Sequence, residues 1–325
     1  MAIPGLPNID EITACTYEVV DGNIAVVTLN RPERLNALSG EMHRDLITCW
    51  EHIHDDPQIR AGVVTANGRF FCAGRDIKEY MEYYGQDGKP TSTGSDGKNG
   101  DRNSPTTLNA FRQIAQFWDG RAATVEDQAI MPVLNPVEHG VADEAELVKK
   151  LKASESLVKA FGEAFPGQAD AVTAANFKLA VGAFERTLVT KSPFDEFLDG
   201  KNNALNASQK RGLKTFIDVG CITCHTTRLL GGHLYQKLGT MRPYPSKDEG
   251  RFAVTKNEAD KFLFKVPTLL NVAKTAPYLH DGSIATLAGT VKVMAQVQLN
   301  KDLKDEEIAS IVEFLETLTG TMPDN

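Results

Sequence analysis

The feature that most constrains the fold is a five-residue motif, CITCH, at residues 221–225. Two cysteines three positions apart, followed at once by a histidine, are typical of c-type haem attachment, because two thioether bonds hold the porphyrin edge while the histidine offers a nitrogen to the iron. Half of a zinc site and a thiol redox pair are the alternatives. Zinc requires further close ligands and only His233 is near, whereas a thioredoxin-type pair requires a βαβ setting that this helical region lacks. The motif therefore predicts a covalently bound haem.

The iron of a low-spin haem takes a second axial ligand, and a thioether there raises the reduction potential relative to a second imidazole. Met241, His280 and Met294 follow the motif and are the candidates. Spacing alone does not choose among them, since a methionine is commonly a core side chain.

Composition and charge set the class of protein. With 42% hydrophobic and 24% charged residues, the 325-residue chain is typical of a folded globular protein of one large or two smaller domains. Its net charge of −8 argues against nucleic acid or an anionic membrane as the main partner, because both require clustered Lys and Arg. No apolar run is long enough to span a membrane, and the first residues lack the pattern of a secretory signal. Cys15, Cys49 and Cys72 are expected to be thiols, so no disulfide framework is predicted.

The first part of the chain has the pattern of an α/β protein. Residues 16–30 predict two short strands around an Asp21-Gly22-Asn23 turn. Residues 40–54 predict a helix, and residues 61–68 predict a buried strand.

A polar, glycine-rich loop over residues 85–104 marks a boundary, because such a composition supplies little to a packed core. We therefore expect domains at 1–84 and 85–325. The second part is helical in pattern, with no strong strand after about residue 105, and its last helix is expected behind an Asp305 cap. An earlier helix is predicted from the spacing of Phe177, Val181, Phe184 and Leu188.

Seven stretches of the second part match one family. They lie in this order between residues 102 and 299: RNSPTTLNA, QFWDGRAATVEDQA, NPVEHG, GAFERTLVTKSPFDEFL, GCITCH, FKVPTLLNVAKTAPYLHDGSIATL and VMAQVQL. Through them, residues 85–325 resemble the bacterial di-haem cytochrome c peroxidases, a family related to the MauG proteins of methylamine utilisation. The resemblance implies mainly α, cytochrome-c-like domains with a site between them.

The resemblance also assigns roles to the haem motif. It implies that Cys221 and Cys224 form the thioethers, that His225 is the proximal ligand, and that Met294 is the distal ligand of the family's high-potential, electron-receiving haem. Trp118 matches the tryptophan on the electron path between the two haems of the family, and core packing is its alternative role.

Other residues match the peroxide chemistry and a calcium site of the family. Glu138 matches the acid/base carboxylate over the peroxide-binding haem, and Gln128 matches its polar neighbour. Such a carboxylate is needed because a proton is taken from one peroxide oxygen and returned to the departing oxygen. The oxygen donors of the family's calcium site match Asn103, Thr275 and Pro277, and carbonyl oxygens suit this hard cation.

The chain departs from the family in three places. The family has another Cys-x-x-Cys-His before the glycine-rich loop, whereas residues 70–88, FFCAGRDIKEYMEYYGQDG, contain one cysteine and no histidine. The peroxide-binding haem is therefore expected to lack both its anchor and its proximal ligand. Ser95 stands where the peroxidases usually have the removable distal histidine, and His139 stands where a methionine is common.

Residues 16–80 resemble a different family, the crotonase or enoyl-CoA hydratase/isomerase superfamily, through VVTLNRPERLNALSGEM and GVVTANGRFFCAGRDIKE. In that superfamily, backbone N–H groups at positions matching Ala37 and Gly74 polarise a thioester carbonyl, since two donors on one oxygen stabilise an enolate. The match ends before that fold is complete and lacks its acid/base carboxylates. We therefore expect a truncated crotonase-like β/α segment, joined near residues 80–86 to the mainly α part as in a chimera or fusion.

The leading functional interpretation is an oxidoreductase that reduces hydrogen peroxide to water with electrons from a small cytochrome or cupredoxin, impaired by the missing haem site. A mono-haem electron-transfer protein and acyl-CoA binding by the first segment are the alternatives. The expected cofactors are one haem c and calcium, and a homodimer is a further option. Haem attachment indicates the periplasm, whereas the crotonase-like start suits the cytoplasm.

Overall fold

The computed structural model describes residues 6–69, 71–72 and 89–321. Contacts between Cα atoms divide the chain into two compact units, Met1–Tyr84 and Gly85–Asn325. Each unit has a hydrophobic core of its own, so each is described by itself. None of the helices in the described ranges is long and apolar enough to cross a bilayer.

The first unit is a three-stranded sheet with one long helix. Its regular elements are β1 (Cys15–Val20), β2 (Ile24–Leu29), α1 (Gly40–Asp55) and β3 (Ala61–Ala66). β1 and β2 are antiparallel, and β3 lies parallel to β2. Asp21 and Gly22 join the first two strands with φ angles of 53° and 73°, which suit a tight hairpin. The predicted strands, turn and helix are confirmed, but the expectation that residues 61–68 form a buried strand is wrong: β3 is mostly exposed, with Val63 46% exposed. The physical reason is its position, since β3 is paired only with β2 at the edge of the described sheet.

The core of the first unit lies between the sheet and α1. Val27 and Met42 are fully buried there. The helix begins behind Ser39, whose hydroxyl accepts the N–H of Met42, an N-cap that satisfies one of the free donors of the first turn. These contacts hold α1 against the sheet.

The second unit is mainly helical. Its α-helices are α2 (Val125–Leu134), α3 (Glu144–Lys152), α4 (Glu155–Ala164), α5 (Ala174–Glu185), α6 (Pro193–Leu198), α7 (Ala207–Val219), α8 (Phe252–Thr255), α9 (Leu287–Leu299) and α10 (Asp305–Glu316). Its strands are β4 (Tyr235–Lys237) and β5 (Leu263–Lys265). The core of this unit joins α6, α7, α9 and α10.

α7 and α10 approach each other closely. A Cβ atom on Gly212 of α7 would lie 2.1 Å from the backbone oxygen of Ser310 on α10, so only glycine fits at this crossing. Phe314 of α10 is fully buried, and its ring centroid lies 5.2 Å from that of Phe194 and 5.3 Å from that of Phe216. Aromatic contacts of this kind add to the free energy gained by burial.

The start of α10 differs from the prediction. Asp305 was expected to be the cap, but Lys304 is the N-cap residue and Asp305 is the first residue of the helix. The Glu307 carboxylate accepts the backbone N–H of Lys304 at 2.9 Å. Because Asp305, Glu306 and Glu307 all lie in the first turn, their charges interact favourably with the positive end of the helix dipole.

The apolar spacing predicted around residue 180 is partly wrong. α5 ends at Glu185, so Leu188 lies beyond it, although Leu188 is buried. Phe184 is 40% exposed. The buried residues of the helix include Gly182 and Glu185, which hydrophobicity does not mark as core positions.

The expectation of no strong strand after residue 105 was also incomplete. β4 and β5 form a short antiparallel pair with Tyr235 opposite Lys265. Each strand has three residues, too few for an alternating pattern to show in the sequence. This pair matters for function because β5 contributes to the cavity described below.

Glu185 makes the stability of the second unit depend on pH. Its side chain is 7% exposed, and burial, with a smaller contribution from the charge of Glu126, raises its pKa to about 7. The unfolded chain has a glutamate pKa of about 4.3. Between these two values the folded form binds more protons than the unfolded form, so the free energy of unfolding falls as the pH rises through this window.

We expect Glu185→Gln to be more stable than the wild type by roughly 1–3 kcal/mol at pH 8 and equally stable at about pH 3, where the glutamate is protonated in both states. Urea denaturation at both pH values measures the difference. Glu163→Gln, a change at an exposed carboxylate of α4, is the control and should show no such divergence. Equal stability of Glu185→Gln and wild type at pH 8 would contradict the prediction.

Candidate functional site

A cavity of about 240 Å³ lies within the second unit. Protein interiors are close-packed and seldom leave spaces much larger than a water molecule, so a space of this size indicates a ligand. Its wall includes residues from α7, the turn after α7, β5, α9 and α10. Most of these residues are apolar or aromatic, among them Trp118, Phe216, Phe264, Leu269 and Val291.

The turn after α7 brings the CITCH motif to this wall. Gly220 ends the helix with a φ of 102°, a left-handed conformation that glycine adopts without steric cost. A short 3₁₀ turn, Cys221–Thr223, follows directly, and the N–H of His225 donates to the carbonyl of Cys221 at 3.1 Å. Cys221, Cys224 and His225 all line the cavity as a result.

A hydrogen bond determines which nitrogen of His225 is available. Nδ1 lies 2.8 Å from the carbonyl oxygen of Leu230. Since a carbonyl only accepts, Nδ1 carries the proton and Nε2 keeps its lone pair. Burial lowers the pKa of His225 to about 4, so the ring is neutral near pH 7. A neutral imidazole with one nitrogen held by a backbone carbonyl is the usual form of a metal-binding histidine.

Leu230 itself is in an unusual conformation. Its φ of 47° lies in the left-handed region, which costs a leucine roughly 1 kcal/mol or more. The residue is buried, and its N–H donates to the carbonyl of Thr227. Packing therefore holds the Leu230 carbonyl towards His225 against a local preference.

The two cysteines of the motif are not arranged as a redox pair. Burial raises the pKa of Cys221 to about 11 and also raises that of Cys224. A reactive thiol of a redox pair has a lowered pKa instead, because the thiolate is the nucleophile. Within residues 6–69, 71–72 and 89–321, no three His, Cys, Asp or Glu side chains lie close enough to hold a metal ion.

The three candidates for the second axial ligand are in different surroundings. Met294 of α9 lines the cavity and is half-buried. His280 also lines it, but its Nε2 lies 3.0 Å from the hydroxyl of Ser246. Met241 is 55% exposed and is not among the residues of the wall. The geometry therefore favours Met294.

Trp118 lies on the same wall and is fixed by two hydrogen bonds. Its indole N–H donates to the carbonyl of Asn103 at 2.8 Å, and its own carbonyl accepts the N–H of Lys265 at 2.7 Å. Asn103 in turn donates its backbone N–H to the carbonyl of His280 at 2.7 Å. These bonds link four segments that are far apart in the sequence.

Comparisons with known proteins identify the family. A family model described as di-haem cytochrome c peroxidase matches residues 80–203. The cytochrome c551 peroxidase of Nitrosomonas europaea is 44% identical over 309 residues, which cover 92% of this chain and 87% of that protein. The chain belongs to the di-haem cytochrome c peroxidase family.

Further comparisons agree with this assignment. The cytochrome c551 peroxidase of Pseudomonas aeruginosa is 44% identical, over 74% of this chain and 70% of that protein. A solved structure of a MauG-like protein associated with microbial copper homeostasis is 27% identical, with a TM-score of 0.62 over 72% of this chain and 79% of that one. The predicted family and the mainly α fold are confirmed.

A second family model, enoyl-CoA hydratase/isomerase, matches residues 20–100. It overlaps the peroxidase match at residues 80–100. The prediction that the chain combines a crotonase-like start with a di-haem peroxidase sequence is confirmed.

Glu138, matched to the acid/base carboxylate of the di-haem peroxidases, lies in a turn just after α2. Its carboxylate accepts the side-chain N–H of Asn135 at 2.8 Å, and its backbone carbonyl accepts the N–H of Ser95 at 2.7 Å. The Ser95 hydroxyl donates to the carbonyl of His139 at 3.1 Å. The structure thus brings Glu138 together with Ser95 and His139, two of the three places where the chain departs from the peroxidases.

Glu138 does not line the cavity that contains His225, and neither does Gln128, which lies on α2. The structure therefore separates the two residues matched to peroxide chemistry from those matched to the electron-receiving haem. Trp118 belongs to the second group, since it lines the cavity.

The residues matched to the calcium site share one cavity wall. Asn103, Thr275 and Pro277 all line the same cavity as Trp118. The Thr275 hydroxyl donates to the carbonyl of Val272 at 3.2 Å, which leaves its oxygen lone pairs available. Oxygen atoms from three such residues, completed by water, suit Ca²⁺, and the calcium site stays a prediction.

Of the two donors predicted from the crotonase resemblance, only Ala37 lies in the described part of the chain. The N–H of Ala37 donates to the carbonyl of Arg34 at 3.0 Å, so this group has an acceptor within its own turn. Gly74, the other predicted donor, lies outside the described residues.

Sequence reasoning missed Lys265 and Gln113, which both line the cavity, and the Lys265 ammonium donates to the Gln113 side-chain oxygen. A lysine between Phe264 and Val266 in an otherwise apolar strand was a signal that could have drawn attention to it. The carbonyl of Leu230 has no signal in the sequence, because its role depends on backbone geometry.

The raised pKa of Cys221 predicts slow reaction with iodoacetamide in protein prepared without haem. At pH 8 a thiol of pKa about 11 is alkylated roughly 100-fold more slowly than an ordinary thiol, because the thiolate reacts. Mass spectrometry of timed samples measures the rate at this residue. The same protein in urea is the control and should react at the ordinary rate. Rapid alkylation of the folded protein would contradict the burial described here.

Proposed function

We propose that the second unit binds one haem c, with thioether bonds to Cys221 and Cys224 and with His225 and Met294 as axial ligands. The observation that carries the proposal is the neutral His225 ring, whose Nε2 is left free by the Leu230 carbonyl, on the wall of an apolar cavity that both thiols and Met294 also line. A haem held here supplies one-electron redox chemistry.

Each side chain of the proposed site has a separate task. His225 offers its Nε2 lone pair, and the Leu230 carbonyl prevents the ring from turning over. Met294 offers a thioether, a ligand that favours a high reduction potential. Trp118 is held at the cavity by its bond to Asn103, in a position suited to an electron path.

We further propose that the chain is a peroxidase-type oxidoreductase in which peroxide reduction is impaired. The full reaction takes hydrogen peroxide, two electrons and two protons to two water molecules. The relatives are named cytochrome c peroxidases, and the family model that matches this chain is described as di-haem. The sequence of this chain, however, has a single Cys-x-x-Cys-His motif. Glu138 could still move protons, but it does not line the one cavity to which we assign haem.

Membership of the family supports proposals for the electron donor, for a calcium site and for the cellular location. A small cytochrome or a cupredoxin would supply the electrons, and Asn103, Thr275 and Pro277 would hold calcium through oxygen atoms. Covalent haem attachment favours the periplasm. We propose that residues 85–325 act as the haem domain and that residues 1–84 are a truncated crotonase-like domain.

A mono-haem electron carrier is the second candidate. It is favoured by the single Cys-x-x-Cys-His motif of this chain, because an electron carrier needs one haem whereas the matched family is described as di-haem. The two candidates differ only in sustained turnover with peroxide.

The ligand assignment predicts one haem per chain. Protein matured by a periplasmic haem c attachment system should give one haem by the pyridine haemochrome assay, and Cys221→Ser with Cys224→Ser should abolish covalent attachment. Cys72→Ser is the matched control and should keep the haem.

Met294→Ala should convert the optical spectrum from low spin to high spin, while Met241→Ala should not. Two haems per chain, or a low-spin spectrum in Met294→Ala, would contradict the assignment.

Impairment predicts little sustained oxidation of a reduced donor cytochrome by hydrogen peroxide, and no further loss in Glu138→Gln. Stopped-flow and steady-state absorbance of the donor measure both. Glu144→Gln, at the start of α3, is the matched control. Sustained oxidation that falls roughly 100-fold in Glu138→Gln, the effect expected of a general acid/base, would show that peroxidase activity survives and would exclude the pure carrier.

A further inference from the structure

The charges on the cavity wall are strongly unbalanced. Among the described residues that line it, Lys265 is the only Lys or Arg, and no Asp or Glu is present. Burial lowers the pKa of Lys265 to about 8, so the ammonium is still the main form at pH 7. Lys265 is 5% exposed, so its charge is not solvated by bulk water. An apolar cavity with one enclosed cation and no anion suits a ligand that has a negative group.

The partner of Lys265 is neutral. Its ammonium donates to the side-chain oxygen of Gln113, and no carboxylate of the described chain forms an ion pair with it. Arg102, another cation of the same unit with little solvent exposure, has carboxylate partners instead. Its guanidinium contacts Asp119 at 2.5 Å and Asp248 at 2.6 Å. Burying a cation without an anion is unfavourable, so the difference between Lys265 and Arg102 requires a reason.

The backbone holds Lys265 firmly on the wall. It lies in β5 opposite Tyr235 of β4, and its N–H donates to the carbonyl of Trp118 at 2.7 Å. Gln113 is held by its N–H bond to the carbonyl of Ala110 at 3.0 Å. The pair is therefore preorganised, with the ammonium and the amide side by side.

We propose that Lys265, with Gln113, receives a propionate carboxylate of the haem bound in this cavity. Thioether attachment uses the vinyl groups of a haem and leaves its two propionates ionised, so the ligand brings the anion that the wall lacks. The inference rests on the haem c site proposed above. Lys265 acts as a positioning residue: it pairs with the carboxylate and does not contact the iron.

This pairing has a defined electrostatic consequence. Reduction adds one negative charge to the cavity, and a nearby cation that is shielded from water stabilises the reduced form. Removing the positive charge of Lys265 should therefore lower the reduction potential. The effect should be large because the site is enclosed and water screens it little.

The test uses the haem-loaded full chain and potentiometric titration followed by absorbance. Lys265→Met should lower the midpoint potential by an amount equal to at least a tenfold change in the reduction equilibrium constant, about 59 mV for one electron. Lys265→Arg keeps the charge and should restore most of the potential. Lys261→Met removes a lysine that pairs with Glu258 at the surface, and as the matched control it should leave the potential unchanged.

A second variant covers the case in which Lys265→Met does not mature. Gln113→Glu is close in shape to the wild type and places a carboxylate of the protein beside Lys265, where it competes with the propionate. The potential should again fall, and the propionate bands of the resonance Raman spectrum should shift. Both readouts are independent of peroxide turnover.

The outcomes separate the two proposals. If the wild-type chain attaches no haem, the haem c site itself is wrong. If haem is attached and the potentials of Lys265→Met and Gln113→Glu equal that of the wild type, the haem site stands and the role of Lys265 is overturned. A fall in Lys265→Met that Lys265→Arg does not restore would assign the effect to packing and would also overturn the inference.

Discussion

The hydrogen bond between Nδ1 of His225 and the carbonyl of Leu230 is the interaction on which the rest of the site depends. It puts the proton on the nitrogen that faces the backbone and leaves the other nitrogen free to bind iron. Burial keeps the ring neutral, since it lowers the pKa of His225 to about 4. The Gly220 turn and the left-handed Leu230 serve this one contact, because they fix the two ends of the loop in which the ring lies.

Charge is distributed around this site according to a simple pattern. Outside the cavity, the enclosed cation Arg102 is matched by carboxylates, whereas on the wall Lys265 has only an amide as its partner. The apolar wall and the unmatched cation together suit a large hydrophobic ligand with an acidic edge, which is the chemistry of the haem proposed above.

The sequence predicted elements well where a local pattern decides the structure. The hairpin at Asp21, the helix α1 and the haem motif are of this kind, because turn chemistry, periodicity and fixed spacing act over a few residues. It failed where the answer depends on contacts from distant segments. The buried face of α5 includes Glu185, and the wall of the cavity includes Lys265, which no local rule places inside. Spacing alone left Met241 and Met294 open, and the family resemblance selected Met294; the fold favours the same residue, because Met294 lines the cavity whereas Met241 is exposed.

The hydrogen bonds that run from Lys265 to Trp118, from Trp118 to Asn103 and from Asn103 to His280 have a consequence for electron movement. Along this side of the cavity, the N–H and carbonyl groups that form these bonds already have hydrogen-bond partners. Such a wall has few dipoles free to turn when a charge appears beside it, so little energy is spent on rearranging the protein around an arriving electron. We therefore expect the bonded backbone of the second unit to give a low reorganisation energy, whether or not peroxide is ever reduced.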